Sequence, residues 1–73
     1  MGVLVKRSFT LAGHRTSVAL EKEFWEALET IAAARRHTMA ALVVEVDAAR
    51  DADRPLASAL RIYALRVGAL TRG

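Results

Sequence analysis

The residues best suited to recognition chemistry lie in a short alternating segment, residues 14–20, which reads HRTSVAL. Side chains along a strand point to opposite faces in turn, so Arg15, Ser17 and Ala19 share one face. The other face carries aliphatic residues, which favour a hydrophobic core. The guanidinium of Arg15 and the hydroxyl of Ser17 need water or a polar partner, and both can form hydrogen bonds with anionic groups. The structural alternative for Arg15 is an exposed cation on a strand.

Catalytic and metal-binding constellations are missing from the sequence. His14 and His37 stand in unrelated, turn-like positions, and neither belongs to an HExxH or Cys/His pattern. The chain contains no cysteine, which excludes a thiolate metal site and a disulfide framework. The glutamates between residues 21 and 29 indicate a solvated helix face rather than a catalytic pair of carboxylates. We therefore expect no enzymatic activity, no metal and no cofactor.

Basic residues are segregated towards the two ends of the chain, whose formal net charge is +3. Residues 1–20 carry Lys6, Arg7 and Arg15 and no acidic residue, whereas the centre of the chain is net acidic. A basic segment beside a polar strand suits a surface that faces phosphate groups. No apolar run reaches the roughly 18 residues of a membrane span, and MGVLVKRSFT does not resemble a signal peptide. We therefore expect a cytoplasmic protein without a membrane partner.

A lone strand cannot satisfy its backbone hydrogen-bonding groups, so residues 14–20 need a partner strand. One candidate is the upstream segment, residues 3–11, because its β-branched and aromatic residues favour an extended chain and Ala12–Gly13 permits a turn. In that arrangement we expect a short edge strand with Lys6 and Arg7 pointing outward. The other candidate is the same strand of a second copy, and residues 3–11 are then a flexible basic arm.

Two helices are predicted after the strand from apolar residues at helical spacing, over residues 21–35 and 39–49. Thr38 is a plausible N-cap for the second helix. The turn between the helices lacks the glycine that is common at a helix C-terminus. Arg36 or His37 is therefore expected to adopt an uncomfortable turn geometry.

Three further features of the helical region bear on assembly. Val44 lies off the apolar stripe of the second helix, which indicates cover on more than one side, as when the helix crosses its twin in a dimer. Trp25 lies beside the stripe of the first helix, and we favour the edge of the core over stacking on a partner. A third helix is predicted over residues 55–70, with Pro55 at its start. It completes the core, enlarges a dimer interface or binds a partner.

Together these features resemble the ribbon-helix-helix (Arc/MetJ-like) family of DNA-binding proteins. Strand, helix, turn and second helix follow one another over residues 14–50, and the chain is similar to a compact subfamily with a strand like GHRTSVAL, a helix like EFWEALETIA and a third helix like SALRIYALR. The resemblance implies a mostly α-helical fold with a short β-ribbon whose strand is paired across a homodimer. It implies one domain over residues 1–73, with the basic arm and ribbon strand in 3–20, the helix pair in 21–50 and the added helix in 55–70.

The resemblance also implies a function, that of a homodimeric transcriptional regulator such as a repressor. Its two-stranded ribbon would enter the major groove of double-stranded DNA. By family position, Arg15 pairs with a guanine edge or a phosphate, and Ser17 contacts a base. Ala19 offers only an apolar contact, for instance to a thymine methyl group, and departs from the polar residues common at that position in the family. The expected phosphate contacts come from Thr38, Lys6 and Arg7.

Two other functions fit the same scaffold. A dimeric protein-interaction module, such as an antitoxin or adaptor, would bind a protein partner through the third helix. Ala19, the extra helix and the hydrophobic content of 53% favour that function. A small-ligand sensor would bind its effector near Gly13, His14 and Arg15, where polar groups cluster.

Overall fold

The computed structural model describes the backbone of residues 3–71 and the side chains of residues 3–68. Two antiparallel strands are followed by three helices, in the order β1 (Leu4–Leu11), β2 (His14–Glu21), α1 (Lys22–Ala34), α2 (Met39–Ala49) and α3 (Leu56–Thr71). The predicted mostly helical fold with a short ribbon is confirmed. Within this part of the chain, no helix combines the length and the apolar character needed to cross a membrane.

The hairpin joins the predicted ribbon strand to the chain's own upstream segment. β1 and β2 pair antiparallel over their full lengths. Two-residue hairpin loops favour turns with positive φ at both central positions, and Ala12 (φ 50°) and Gly13 (φ 81°) both have it. Of the two partners that the sequence leaves open for β2, the structure shows the one within the chain. Both strands of this ribbon therefore come from one polypeptide.

One side of the hairpin packs on the helices and closes the hydrophobic core. Val18 and Leu20, on the aliphatic face of β2, are 3% and 0% exposed. The largest fully buried side chains come from β2 and all three helices: Leu20, Leu28, Ile31, Leu42, Val43 and Leu60. α3 contributes Ala59, Leu60 and Ala64 to the same cluster, so it completes the core rather than lying outside it.

α1 ends in a Schellman motif, which satisfies backbone carbonyls at a helix C-terminus. The N–H of His37 donates to the carbonyl of Ala32 at 2.8 Å, and the N–H of Arg36 donates to that of Ala33 at 3.1 Å. Arg36 has φ 56°, in the left-handed region where glycine is usual. The uncomfortable geometry expected at this turn therefore falls on Arg36.

Candidate nucleic-acid interface

The face of the hairpin that points away from the core carries mostly polar side chains. It is formed by the even-numbered residues of β1 from position 6 and the odd-numbered residues of β2 up to position 19, and we call it the outward face: Lys6, Ser8, Thr10, Arg15, Ser17 and Ala19. Ala19 is half-buried and the others are exposed. The alternation in β2 thus places its three residues together, and β1 adds three more beside them.

Hydrogen bonds link the two strands across the outward face. Ser8 lies opposite Ser17, and their Oγ atoms are 3.1 Å apart. Arg15 lies opposite Thr10, and Nη1 of Arg15 donates to Oγ1 of Thr10 at 3.3 Å. A guanidinium has five N–H donors, so this contact orients Arg15 and leaves it donors for a bound group.

Lys6 and Arg7 lie on opposite faces of β1, which corrects the prediction that both point outward. Lys6 is exposed opposite Ala19, so a cation stands beside the one outward residue that lacks a polar group. Arg7 turns towards the helices. Its Nη1 lies 3.4 Å from Oε2 of Glu29, and its Cζ lies 5.0 Å from the centroid of the Trp25 ring. Consecutive residues on a strand alternate in direction, so two adjacent cations cannot share one face.

Trp25 fastens β1 to α1. Its side chain is 4% exposed, and its Nε1 donates to the backbone carbonyl of Val5 at 2.8 Å. The ring also packs against Phe9, with centroids 5.9 Å apart. A buried indole N–H usually finds an acceptor, which is a signal that such a contact exists. The sequence pattern does not identify the acceptor, so this anchor of the hairpin was missed.

A protein-family model described as "Ribbon-helix-helix domain" matches residues 4–67. The chain belongs to the ribbon-helix-helix domain family. The match begins at β1 and covers most of α3, so it includes both the predicted strand and helix pair over residues 14–50 and the added third helix. The family is a non-catalytic DNA-binding fold, typical of DNA-binding regulators and antitoxins, and its members usually bind DNA as dimers. No curated protein and no solved structure matches the chain.

Thr38 caps the second helix of this ribbon-helix-helix domain, as predicted. Its Oγ1 accepts a hydrogen bond from the N–H of Ala41 at 3.0 Å, and its side chain is exposed. The N–H groups in the first turn of a helix have no partner within the helix and favour an anion. Thr38 lies at the start of α2 and not on the outward face, so a phosphate bound there would be a contact separate from the hairpin.

Two ion pairs hold elements of the domain together. Glu21, at the end of β2, accepts a hydrogen bond from Nε of Arg61 at 3.0 Å, and its pKa is lowered first by a backbone hydrogen bond and then by Arg61. Arg35 donates to both carboxylate oxygens of Glu45 and to the hydroxyl of Tyr63. The hydrogen bond to Glu45, followed by that to Tyr63, raises the pKa of Arg35, and the pKa of Glu45 is lowered in return. Neither pair engages a cation of the outward face.

Away from the hairpin, the described residues form a groove between two helices but no cluster of side chains that could hold a metal ion. A groove of about 360 Å³ lies between α2 and α3, and its lining mixes arginine, acidic and apolar side chains. One of these, Arg50, is already held by Asp47 at 2.8 Å. Within the side chains of residues 3–68, no three of histidine, aspartate and glutamate come close enough to hold a metal ion.

Proposed function

We propose that this protein is a DNA-binding transcriptional regulator that inserts the outward face of its hairpin into the major groove. The observation that carries the proposal is the outward face itself, which presents two cations and three hydroxyl groups, while Glu21, the next odd-numbered residue of β2, is already paired with Arg61. The major groove is about 12 Å wide and admits a two-stranded ribbon, whose strands lie about 4.8 Å apart. A ribbon of that width with cations and hydroxyl groups matches the phosphates and base edges of duplex DNA.

The proposed roles follow from the chemistry of each side chain. Arg15 pairs with a guanine edge or a phosphate, because its fork of donors matches two acceptors at once. Ser17 donates to or accepts from a base, and Ala19 contacts a thymine methyl group. The phosphate contacts are assigned to Lys6 and Thr38. Arg7 is assigned to holding the hairpin on α1, because Glu29 and Trp25 already contact its guanidinium.

The proposed assembly is a homodimer formed through the exposed side of α2. Ala40, Val44 and Ala48 are exposed and recur every four residues, so they line one side of the helix, and Val44 is 47% exposed. The opposite side of α2 is buried through Leu42 and Val43, so this helix is apolar on both sides. The same helix of a second copy would cover the exposed side. Each chain keeps its own hairpin, in which β2 has one neighbour, and the other edge of β2 would pair with β2 of the second copy.

The test of the proposed function is fluorescence anisotropy with labelled duplex fragments over a series of salt concentrations. Arg15→Ala is compared with Arg66→Ala, a matched control because Arg66 is an exposed arginine on α3. We expect wild-type binding to weaken with salt, and Arg15→Ala to cost about 1–3 kcal/mol if Arg15 reads a guanine. The Arg66 variant should bind like wild type. No binding at low salt, or equal losses in the two variants, contradicts the proposal.

A protein-interaction module such as an antitoxin or adaptor is the second candidate, because Leu65 on α3 is 65% exposed. A partner that covers this side chain should be lost on Leu65→Glu, while DNA binding is unchanged. Deletion of α3 is unsuitable as a test, since Leu60 lies fully buried in the core. A small-ligand sensor has less support, because the groove between α2 and α3 does not involve Gly13 or His14.

A further inference from the structure

We propose that Thr10 on β1 is a positioning residue, which orients the guanidinium of Arg15 on β2 for contact with the edge of a guanine. This inference rests on the proposed DNA-binding function and deepens it, because it selects the base edge over the phosphate as the target of Arg15. It concerns the edge of β2 that pairs with β1, and it leaves the other edge of β2 to the second copy.

Antiparallel pairing places the two side chains of this contact directly opposite each other. Thr10 and Arg15 are partners in the register of the hairpin, separated from its turn by a single pair of residues. Opposed residues on one face of a strand pair have Cβ atoms about 4.5–5.5 Å apart, so their side chains can meet. Nη1 of Arg15 donates to Oγ1 of Thr10 at 3.3 Å. The register of the hairpin therefore determines which hydroxyl holds Arg15.

The contact restrains Arg15 without neutralising its charge. The acceptor is a neutral hydroxyl, and Arg15 forms no ion pair within the side chains of residues 3–68. The carboxylates of Glu21 and Glu29, on neighbouring elements, are already paired with other arginines. A guanidinium has five N–H donors, of which one faces Thr10 and four remain. Arg15 therefore keeps its full charge and a fork of donors for a bound group.

A restrained fork of donors favours a base edge over a phosphate. The O6 and N7 atoms of guanine accept two hydrogen bonds at once, and they do so only from donors that lie in the right plane and direction. A phosphate has acceptor oxygens in several directions, so a mobile cation can bind it. A side chain that is oriented before binding also loses less rotamer entropy when it binds. The restraint on Arg15 is therefore of most use at a guanine.

The other cation of the outward face has the opposite arrangement. Lys6 stands opposite Ala19, whose methyl group cannot accept a hydrogen bond. Within the described side chains, the ammonium of Lys6 forms neither a hydrogen bond nor an ion pair. Its compact charge on a flexible stem suits a phosphate. The hairpin thus holds the planar fork and leaves the point charge free, which is the pattern expected if Arg15 reads a base and Lys6 contacts the DNA backbone.

The test is a double-mutant cycle between Thr10 and Arg15, measured by fluorescence anisotropy at low salt. The duplex is one that wild type selects from a library with a randomised central segment. Thr10→Val removes the hydroxyl and keeps the branched shape, whereas Thr10→Ser keeps the hydroxyl. Thr30→Val is the matched control, because Thr30 is an exposed threonine on α1.

We expect Thr10→Val to weaken binding about 3- to 10-fold, the range for one lost hydrogen bond. Thr10→Ser and Thr30→Val should bind like wild type. In the Arg15→Ala background, Thr10→Val should cause no further loss, because the side chain that Thr10 positions is absent.

A second measurement tests the guanine itself. The selected duplexes should share a guanine, and wild type should prefer it over adenine at that position by about 5- to 150-fold, the range for one bidentate contact. Substitution by 7-deazaguanine removes the N7 acceptor and keeps the pairing to cytosine, so it should remove part of that preference. Thr10→Val should lower the preference, and Arg15→Ala should abolish it.

The inference is overturned if Thr10→Val loses affinity equally in both backgrounds, because Thr10 would then contact DNA itself. It is also overturned if Thr10→Val binds like wild type, if Thr10→Ser loses as much as Thr10→Val, or if wild type selects no guanine. The proposed function survives each of these outcomes. Absence of wild-type binding at low salt overturns the inference and the proposed function together. Thermal unfolding followed by circular dichroism separates a lost contact from a lost fold in each variant.

Discussion

Replacement of Arg36 by glycine is expected to stabilise the domain. Arg36 has φ 56° in the Schellman motif, whose hydrogen bonds require a left-handed residue at that position. This conformation destabilises a residue with a Cβ by about 1–2 kcal/mol. Glycine avoids that strain, but its greater flexibility in the unfolded chain lowers the stability of the folded domain by about 0.5–1 kcal/mol. The expected net gain is about 0.5–1 kcal/mol. The side chain of Arg36 is exposed, so its removal subtracts little.

The gain from Arg36→Gly corresponds to a rise in Tm of about 2–8 °C for a domain of this length. Urea unfolding followed by circular dichroism at fixed protein concentration should show a higher midpoint and an unchanged m-value. Ala33→Gly is the matched control, because Ala33 is exposed and helical, and glycine there should cost about 1 kcal/mol. If Arg36→Gly lowers the midpoint as Ala33→Gly does, the argument from left-handed strain is refuted.

Three further predictions concern the hairpin and α2. Trp25→Phe removes the donor to the Val5 carbonyl and should lower the free energy of unfolding by about 1–2 kcal/mol. Amide hydrogen exchange should accelerate more in β1 than in α3, and uniform acceleration would argue against an anchor specific to β1. The double variant Ser8→Cys/Ser17→Cys should form a disulfide within one chain on oxidation, because directly opposed residues have a Cα separation that suits a disulfide. A mainly dimeric band on a non-reducing denaturing gel would contradict the hairpin. The hydrogen bond from the guanidinium at the end of α1 lowers the pKa of Glu45 below its ordinary value of 4.5, so the stability from this carboxylate is present above pH 4.5 and is lost as pH falls through the folded-state pKa. Glu45→Gln should flatten the acid limb of the plot of unfolding free energy against pH, and an unchanged limb would count against this assignment.

The helices follow from the sequence because their signals are local. The bounds predicted for α2, residues 39–49, are those observed, since Thr38 supplies a cap directly before an apolar stripe. The predicted ranges 21–35 and 55–70 differ from the observed α1 and α3 by one residue at each end. The family could also be predicted from the sequence, because the order of strand and helices is itself a pattern.

The alternation of side chains along β2 does not predict which strand pairs with it. Unpaired backbone groups require a partner strand, but they do not distinguish a segment of the same chain from one of a second copy. The prediction that Arg7 points outward beside Lys6 was wrong for a different reason. Alternation along a strand already prevents two neighbouring residues from sharing a face, and the prediction did not apply that rule. The hydrogen bond from Trp25 to Val5 joins residues 20 positions apart, and no local periodicity reports on such a contact.

Because a two-residue turn joins β1 to β2, each side of the ribbon is encoded once and separately. In a ribbon made from two copies of one strand, a single codon change alters both sides together. Here a codon change at Thr10 leaves Ala19 as it was. The outward side chains of one strand of the hairpin can therefore change in one mutational step while those of the other strand stay the same.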